Sequence, residues 1–300
     1  MSISSARFSF SRNSVRVKAY AKINLSLDIT GVNGGYHMLD SVVTTVDVYD
    51  LIIIKKRKKD KLVSVCMHGM GSEGIAFDDN NAVKAAEAFI RTFDTCGVNI
   101  EIYKNIPMGA GLGGSSADAA GVLNGLKKLF NVSDEEKIKK IADWVGSDCG
   151  YMLYGGYARI SGRGDRVELI DGNLKLDILL LLPSSPVSTV ECYKTYDKLN
   201  CRQTPSSGEA YSAVKNGDKV ALGKSLKNSL FPSAAYLNGE VAAAAQTLRD
   251  FDPLGASMTG SGSCVFALFE NEQYCRYALS RYNGKCRAVV TKTHLPKRGN

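Results

Sequence analysis

A chain of 300 residues, 44% hydrophobic and 23% charged, has the apolar content of one large or two ordinary packed domains, which excludes a low-complexity or disordered protein. Its longer apolar runs, 178–183 and 264–269, are too short to cross a bilayer, and its eight cysteines form no C-x-x-C pair. The net charge of +8 suits anionic partners: nucleotides, phosphorylated metabolites or nucleic acid.

The first eighteen residues hold no acidic side chain and are rich in Ser and Arg, a bias that organelle transit peptides share. The segment is short and soon gives way to strand pattern. It is therefore read as a flexible tail of about 14 residues on a cytoplasmic protein, with organelle import as the alternative. Alternation predicts strands over 15–21, 23–30, 41–54 and 62–67, with a Gly-rich turn at 31–35. The basic run Lys55 to Lys59 predicts a solvated hairpin rather than a binding site. Val83, Ala86, Phe89 and Ile90 share one face of a helix over 81–93. A strand over 98–103 leads into glycines, and an Ala-rich helix then runs to about Phe130. Ser133-Asp-Glu-Glu136 predicts a capping box for a helix to Val145, which Gly146 breaks. Strands follow at 157–160 and 166–170, and the pattern resets at a strand over 176–182. Helices are expected at 189–199, 208–226, 236–250 and 272–283, and strands at 264–269 and 285–292. Cys66, Cys192, Cys264 and Cys286 fall in these elements, where buried thiols are common. The three histidines, His37, His68 and His294, stand far apart, which argues against a zinc site. The expected division is 1–165 and 166–300, the second part a β-α-β-type domain of ferredoxin-like kind.

The stretch Pro107-Met-Gly-Ala-Gly-Leu-Gly-Gly-Ser-Ser-Ala-Asp-Ala-Ala120 organises the chain. Glycines let backbone N–H groups approach an anion, and a helix starting behind them adds unpaired donors and the positive end of its dipole. Together these features predict a phosphate cradle. Gly109 to Gly114 also fits the dinucleotide fingerprint G-x-G-x-x-G, but a second helix pattern follows the first with no strand between them. No G-x-x-x-x-G-K-[ST] P-loop occurs. Taken alone, Asp148 reads as a capping residue and Lys22 as a snorkelling lysine at a strand edge. Asn24 projects from the same strand face as Lys22, and Tyr36 and His37 flank a turn.

Three segments in order resemble the motifs of the GHMP kinases: Ala21-Lys-Ile-Asn-Leu25, Pro107 to Ala120, and Gly255-Ala-Ser-Met-Thr-Gly-Ser-Gly-Ser263. The resemblance implies an α+β, two-domain fold, with a ribosomal S5 domain 2-like N-terminal domain and a ferredoxin-like C-terminal domain. It implies an ATP-dependent kinase that uses Mg2+. ATP would be held by Pro107, Gly109, Ala110, Gly111, Gly113, Gly114, Ser115 and Ser116. Asp148 would take the acceptor hydroxyl's proton, and Lys22 would keep that carboxylate charged and stabilise developing negative charge. Asn24, Gly260 and Ser261 would contact the acceptor. Four further segments, Gly35-Tyr-His37, Gly146-Ser-Asp148, Tyr154 to Ala158 and Pro186 to Tyr193, resemble the branch whose acceptor is 4-diphosphocytidyl-2-C-methyl-D-erythritol, in the non-mevalonate isoprenoid pathway. In that branch Tyr36 would stack on the cytosine and His37 would hydrogen-bond it. Two departures bear on the acceptor: Cys149-Gly150 stands where Val-Pro is expected, and Asn228-Ser-Leu where Asn-Asp-Leu is common. The expected partner is this small molecule, not nucleic acid or membrane, for a monomer or homodimer. A mevalonate- or homoserine-type kinase and a non-enzymatic RNA-binding protein are the competing readings; exposed aromatics, which RNA surfaces favour, are not what the paired glycine loops offer.

Overall fold

The structure, a computed structural model, describes residues 13–69, 79–201 and 203–296; most of the amino-terminal tail lies outside them. The first sheet is built around one long strand. β1 (Ser14–Asn24) and β2 (Ser26–Asn33) lead into β3 (Tyr36–Lys56), which pairs antiparallel with both. β3 carries Val42, Val43, Val46, Val48, Ile52 and Ile54 into the core, and its β-branched residues suit so extended a run. β4 (Val63–Gly69) lies parallel to β5 (Val98–Lys104), and β5 lies antiparallel to β3. The basic segment after β3 is therefore no hairpin. The chain crosses the end of β5, where Gly97 N–H donates to Asp60 O, and Arg57 pairs with Asp60.

α1 (Asn81–Phe93), α2 (Gly114–Phe130) and α3 (Glu135–Val145) pack together, with α2 lying over β1 and β3. Two glycines set how close α2 lies to the sheet: a Cβ on Gly121 would stand 2.7 Å from Ile52 Cδ1, and one on Gly125 2.6 Å from Ile54 Cδ1. The α3 cap is Asp134, whose carboxylate accepts from Lys137 N–H; the expected Ser133 box does not form. The one-turn α4 (Cys149–Met152) follows, then β6 (Ala158–Gly162) and β7 (Arg166–Leu169). β7 pairs with β6, so the expected boundary at 165/166 falls inside a hairpin of the first sheet.

The second sheet begins at β8 (Asp177–Leu182). After it come α5 (Thr189–Leu199), α6 (Ser207–Asn216), α7 (Lys219–Ser225) and the two-residue β9 (Lys227–Asn228). The single helix expected over 208–226 is split: Gly217, at φ +69°, ends α6, and the Asp218 side chain caps α7. α8 (Phe231–Leu237) precedes α9 (Gly239–Arg249), which is the helix expected over 236–250 and starts after Asn238, its cap. β10 (Gly255–Met258), β11 (Val265–Phe269), α10 (Glu272–Arg281) and β12 (Arg287–Lys292) complete the chain. The strand order β10-β11-β8-β12, all antiparallel, is the ferredoxin-like arrangement.

The continuous apolar run of β8 has a structural reason. Ile178, Leu180 and Leu182 enter the core of the first sheet, whereas Leu179 and Leu181 enter the second. Ala210, Ala213, Val214 and Leu222 also bury into the first core, so the two halves share one interior. All eight cysteines are free thiols; Cys192 and Cys264 are buried as expected, Cys66 is exposed and Cys286 half-buried. Among the described residues no helix is long and apolar enough to cross a membrane, and no cluster of His, Cys, Asp and Glu is grouped to hold a metal.

Candidate active site

The loop between β5 and α2 meets the backbone demands of an anion cradle. Gly109, Gly111 and Gly113 take φ of +64°, +75° and +71°, which side-chain-bearing residues rarely adopt. Gly113 is the N-cap of α2 and leaves its first turn without a side-chain cap, so those N–H groups are available to a ligand. The Lys22 side chain packs directly against the loop: a Cβ on Gly113 would come within 2.6 Å of Met152 Cε and 3.1 Å of Lys22 Cγ. Ser115 is exposed and Ser116 half-buried at the helix start. The cradle opens into a cleft of about 470 Å3, lined by Pro107 to Ser116, Lys22, Asn24, Asp148, Gly260 and Ser261 among others.

Lys22 reaches the cleft from an irregularity in β1. The β1–β3 register shifts between Tyr20 and Lys22, after which Lys22 faces Thr45. Its main-chain N–H donates to Leu112 O at 3.0 Å, tying the strand to the glycine loop. Lys22 Nζ lies 3.6 Å from Asp148 Oδ2 and donates to Asn24 Oδ1 at 2.6 Å. Asp148 occupies the N-cap position of α4 but makes no capping hydrogen bond, so its carboxylate, 34% exposed, is free for other work. That removes the capping explanation. Neither residue after Asp148 points into the cleft. Cys149 is buried, and burial pushes its thiol up to about 11; a Cβ on Gly150 would strike Asp143 Oδ1 at 2.5 Å.

Asn24 is more constrained than a substrate contact would be. Its Oδ1 accepts from Lys22 Nζ and from Gly260 N–H (3.0 Å), and its Nδ2 donates to Ser41 Oγ (2.8 Å). It joins β1 to the second glycine loop. Thr259, buried beside it, completes the joint: its hydroxyl donates to Gly111 O (3.0 Å) and accepts from Asn24 N–H (3.1 Å). Asn228 holds the same loop, donating to Met258 O and Gly260 O. Ser229, the second departure, accepts from Ile29 N–H beneath β2 and does not line the cleft. Thr259→Val keeps the shape and deletes the joint. It should cost about 1–3 kcal/mol in urea unfolding and lower turnover, and Thr259→Ser should restore both. Equal behaviour of Val and Ser would show that the hydroxyl holds nothing.

Sequence reasoning missed a buried charge cluster behind the cradle. Lys104 Nζ donates to Asp50 and, at 2.6 Å, to Asp118 Oδ2; all three residues are buried. Asp50 Oδ1 also accepts from Ile106 N–H at 2.8 Å, anchoring the strand end that launches the loop. The available signal was a lone acid within an Ala-rich apolar helix. Burial pushes Asp118 up to about 7, opposed by Lys104 and reinforced by Asp50. Since 3.8 is its ordinary value, the folded chain holds the extra proton between the two pH values. This stability is full below the lower value and is lost as pH rises through the upper one. The urea midpoint should therefore fall between about pH 4 and about pH 7, and Asp118→Asn should flatten that fall. An unaltered slope would show Asp118 ionised throughout.

Tyr36 and His37 point to opposite faces of β3, as strand alternation requires. Tyr36 is 55% exposed, with the Arg163 guanidinium over one ring face at 3.6 Å, and it is not among the residues lining the cleft. His37 instead lies against Tyr193, a cleft-lining residue of α5, with ring centroids 4.8 Å apart. The aromatic nearest His37 inside the cleft is thus Tyr193, which sequence reading noted only as part of a signature. Thr189, one turn before it, shares a 2.8 Å hydrogen bond with Ser261.

A glycine cradle at a helix start, facing a free carboxylate with a lysine beside it, defines an ATP-dependent kinase of small molecules. The chain belongs to the GHMP kinase family: residues 80–156 match the GHMP kinases N terminal domain, and residues 210–282 the GHMP kinases C terminal domain. It is 34% identical to the 4-diphosphocytidyl-2-C-methyl-D-erythritol kinase of Clostridium beijerinckii, over 93% of this chain and 100% of that one. It is 35% identical to the kinase of the same name from Desulfitobacterium hafniense, over 96% and 98%. A crystal structure of 4-(cytidine 5'-diphospho)-2C-methyl-D-erythritol kinase superposes with a TM-score of 0.78 at 26% identity, covering 93% of this chain and 99% of that one. The homoserine kinase of Cytophaga hutchinsonii, 18% identical with a TM-score of 0.71, shares the fold over 98% and 97%.

Proposed function

We propose that the protein transfers the γ-phosphoryl group of ATP to the 2-hydroxyl of 4-diphosphocytidyl-2-C-methyl-D-erythritol, supplying isoprenoid precursors by the non-mevalonate route. The observation that carries this is the pairing of Asp148 with Lys22, 3.6 Å apart, across one cleft from the glycine cradle. The relatives' shared name supplies the acceptor. The loop amides and the start of α2 hold the phosphates. The cradle fits them because it keeps backbone donors where a side chain would stand. Asp148 takes the proton from the acceptor hydroxyl as its oxygen attacks phosphorus, and Lys22 offsets the charge that builds up. The Ser115 and Ser116 hydroxyls would hold a Mg2+ ion accompanying the nucleotide, which would supply charge neutralisation on the phosphates. The enzyme acts in the cytoplasm as a monomer or homodimer on this small molecule alone.

The test is a coupled ADP-release assay with ATP and Mg2+ across three acceptors: the cytidine compound, mevalonate and homoserine. Turnover with the first alone is expected. Turnover only with another alcohol would overturn the acceptor, and turnover with none would overturn the reading.

A further inference from the structure

We infer that the segment after β12, residues 293–295, positions Lys22 for catalysis, with His294 clamping the register shift that brings the lysine to Asp148. The inference rests on the reading above, in which Lys22 offsets the charge of phosphoryl transfer.

At the shift, β3 sets three residues, Val46, Asp47 and Val48, against Ala21 alone. Tyr20 pairs with Tyr49 on one side of it, and Lys22 with Thr45 on the other. Regular pairing continued from Tyr20 would put Lys22 opposite Asp47, about 7 Å away along β3. Extra residues in one strand lose their ladder partners, so the shift persists only where other groups take them. The segment after β12 does so. Thr293 forms a bridge with Val46. His294 N–H donates to Thr45 O at 2.9 Å, and Thr45 Oγ1 donates back to His294 O at 2.6 Å. The same hydroxyl accepts from Gly156 N–H at 2.9 Å, so Thr45 is held from two sides. The segment is anchored in turn beside β8, where Thr293 N–H donates to Leu176 O and Thr293 Oγ1 accepts from Leu176 N–H.

The His294 ring holds the other side of the shift. It stacks on Tyr20 with centroids 3.4 Å apart and planes 9° apart. Tyr20 meets the Tyr49 ring at 5.4 Å and 61°, and Lys18 Nζ lies over Tyr49 at 4.0 Å. Burial holds the imidazole below its ordinary value, opposed by Asp47 and helped by Lys18, so the ring stacks uncharged at pH 7. A neutral aromatic ring should therefore serve in its place. One residue thus grips both ends of the shift, its ring on Tyr20 and its main chain on Thr45. Neither His294 nor Thr45 lines the cleft, so His294 is a positioning residue that acts through Lys22.

The experiment measures kcat, ATP affinity and amide hydrogen exchange in the full-length protein. His294→Ala should lower kcat with the cytidine compound about ten- to hundredfold, as a displacement of about 1 Å can. ATP affinity should hold, because the cradle glycines are untouched. The Lys22 amide, bonded to Leu112 O, should exchange about tenfold faster. His294→Phe should recover both kcat and exchange. In a Lys22→Met background, His294→Ala should cause no further loss of kcat, since the two act as one unit. Should His294→Ala fail to fold, His294→Leu keeps the bulk, loses the planar face and takes its place. An unmoved kcat, ATP affinity falling in step with kcat, no recovery with Phe, or losses that multiply with Lys22→Met would each overturn the inference. A wild type inactive with the cytidine compound would overturn the functional reading instead. Exchange at the Lys22 amide would still decide the inference, and a rate unmoved by His294→Ala would overturn it.

Discussion

Asp148→Asn should lower turnover by about 10²–10⁴-fold, the usual contribution of a general base, and leave ATP affinity unchanged. The substitution preserves shape and removes the ability to accept a proton. Little else should change, because the Asp148 side chain makes no capping hydrogen bond and is one-third exposed. Lys22 keeps its 2.6 Å bond to Asn24 Oδ1 and its backbone bond to Leu112 O, so the cradle stays assembled. The measurement pairs steady-state turnover with calorimetric ATP binding. Loss of both together would mean that Asp148 serves the nucleotide site rather than the acceptor. Undiminished turnover would remove it from the chemistry, leaving positioning and charge stabilisation by the cradle to do the work.

Most of this arrangement was legible in the sequence because it depends on local rules. The helix at 81–93 showed its apolar face by spacing, and β8 announced itself by an uninterrupted apolar run. Four glycines followed by two serines at a helix start carried the cradle, since positive φ and free N–H groups are backbone properties. The parts that stayed hidden depend on partners far away in the chain. Asn24 reads as one polar residue beside a lysine, yet its amide is committed to Gly260, 236 positions on. Lys104, Asp50 and Asp118 have no shared spacing, and only folding brings them into one buried cluster. Tyr36 and His37 are adjacent in sequence and diverge because a strand sends neighbours to opposite faces; that alternation was available beforehand, but the Arg163 covering Tyr36 was not. The split of the helix expected over 208–226, at Gly217 and Asp218, was marked by ordinary capping residues that the longer apolar pattern masked.

The same long-range dependence sets the second large effect, that of Gly111→Ala. Gly111 sits at φ +75°, where a Cβ alone costs about 1–2 kcal/mol. The added carbon would also fall 2.2 Å from Thr259 O and 3.1 Å from Gly262 O. Both are main-chain atoms, so no rotamer change relieves the overlap, and one glycine loop must move off the other. That movement breaks the Thr259 bond to Gly111 O and pulls on Gly260, and through it on Asn24 and Lys22. The expected result is a destabilisation beyond about 3 kcal/mol, above the usual range for one substitution, with ATP affinity and turnover falling together. Gly208→Ala is the matched control: it lies in α6 with nothing within 4 Å of its would-be Cβ, and should be neutral or stabilise by up to about 1 kcal/mol. If urea unfolding ranked the two variants alike, the loops would not be in contact, and Lys22 would owe its position to β1 alone.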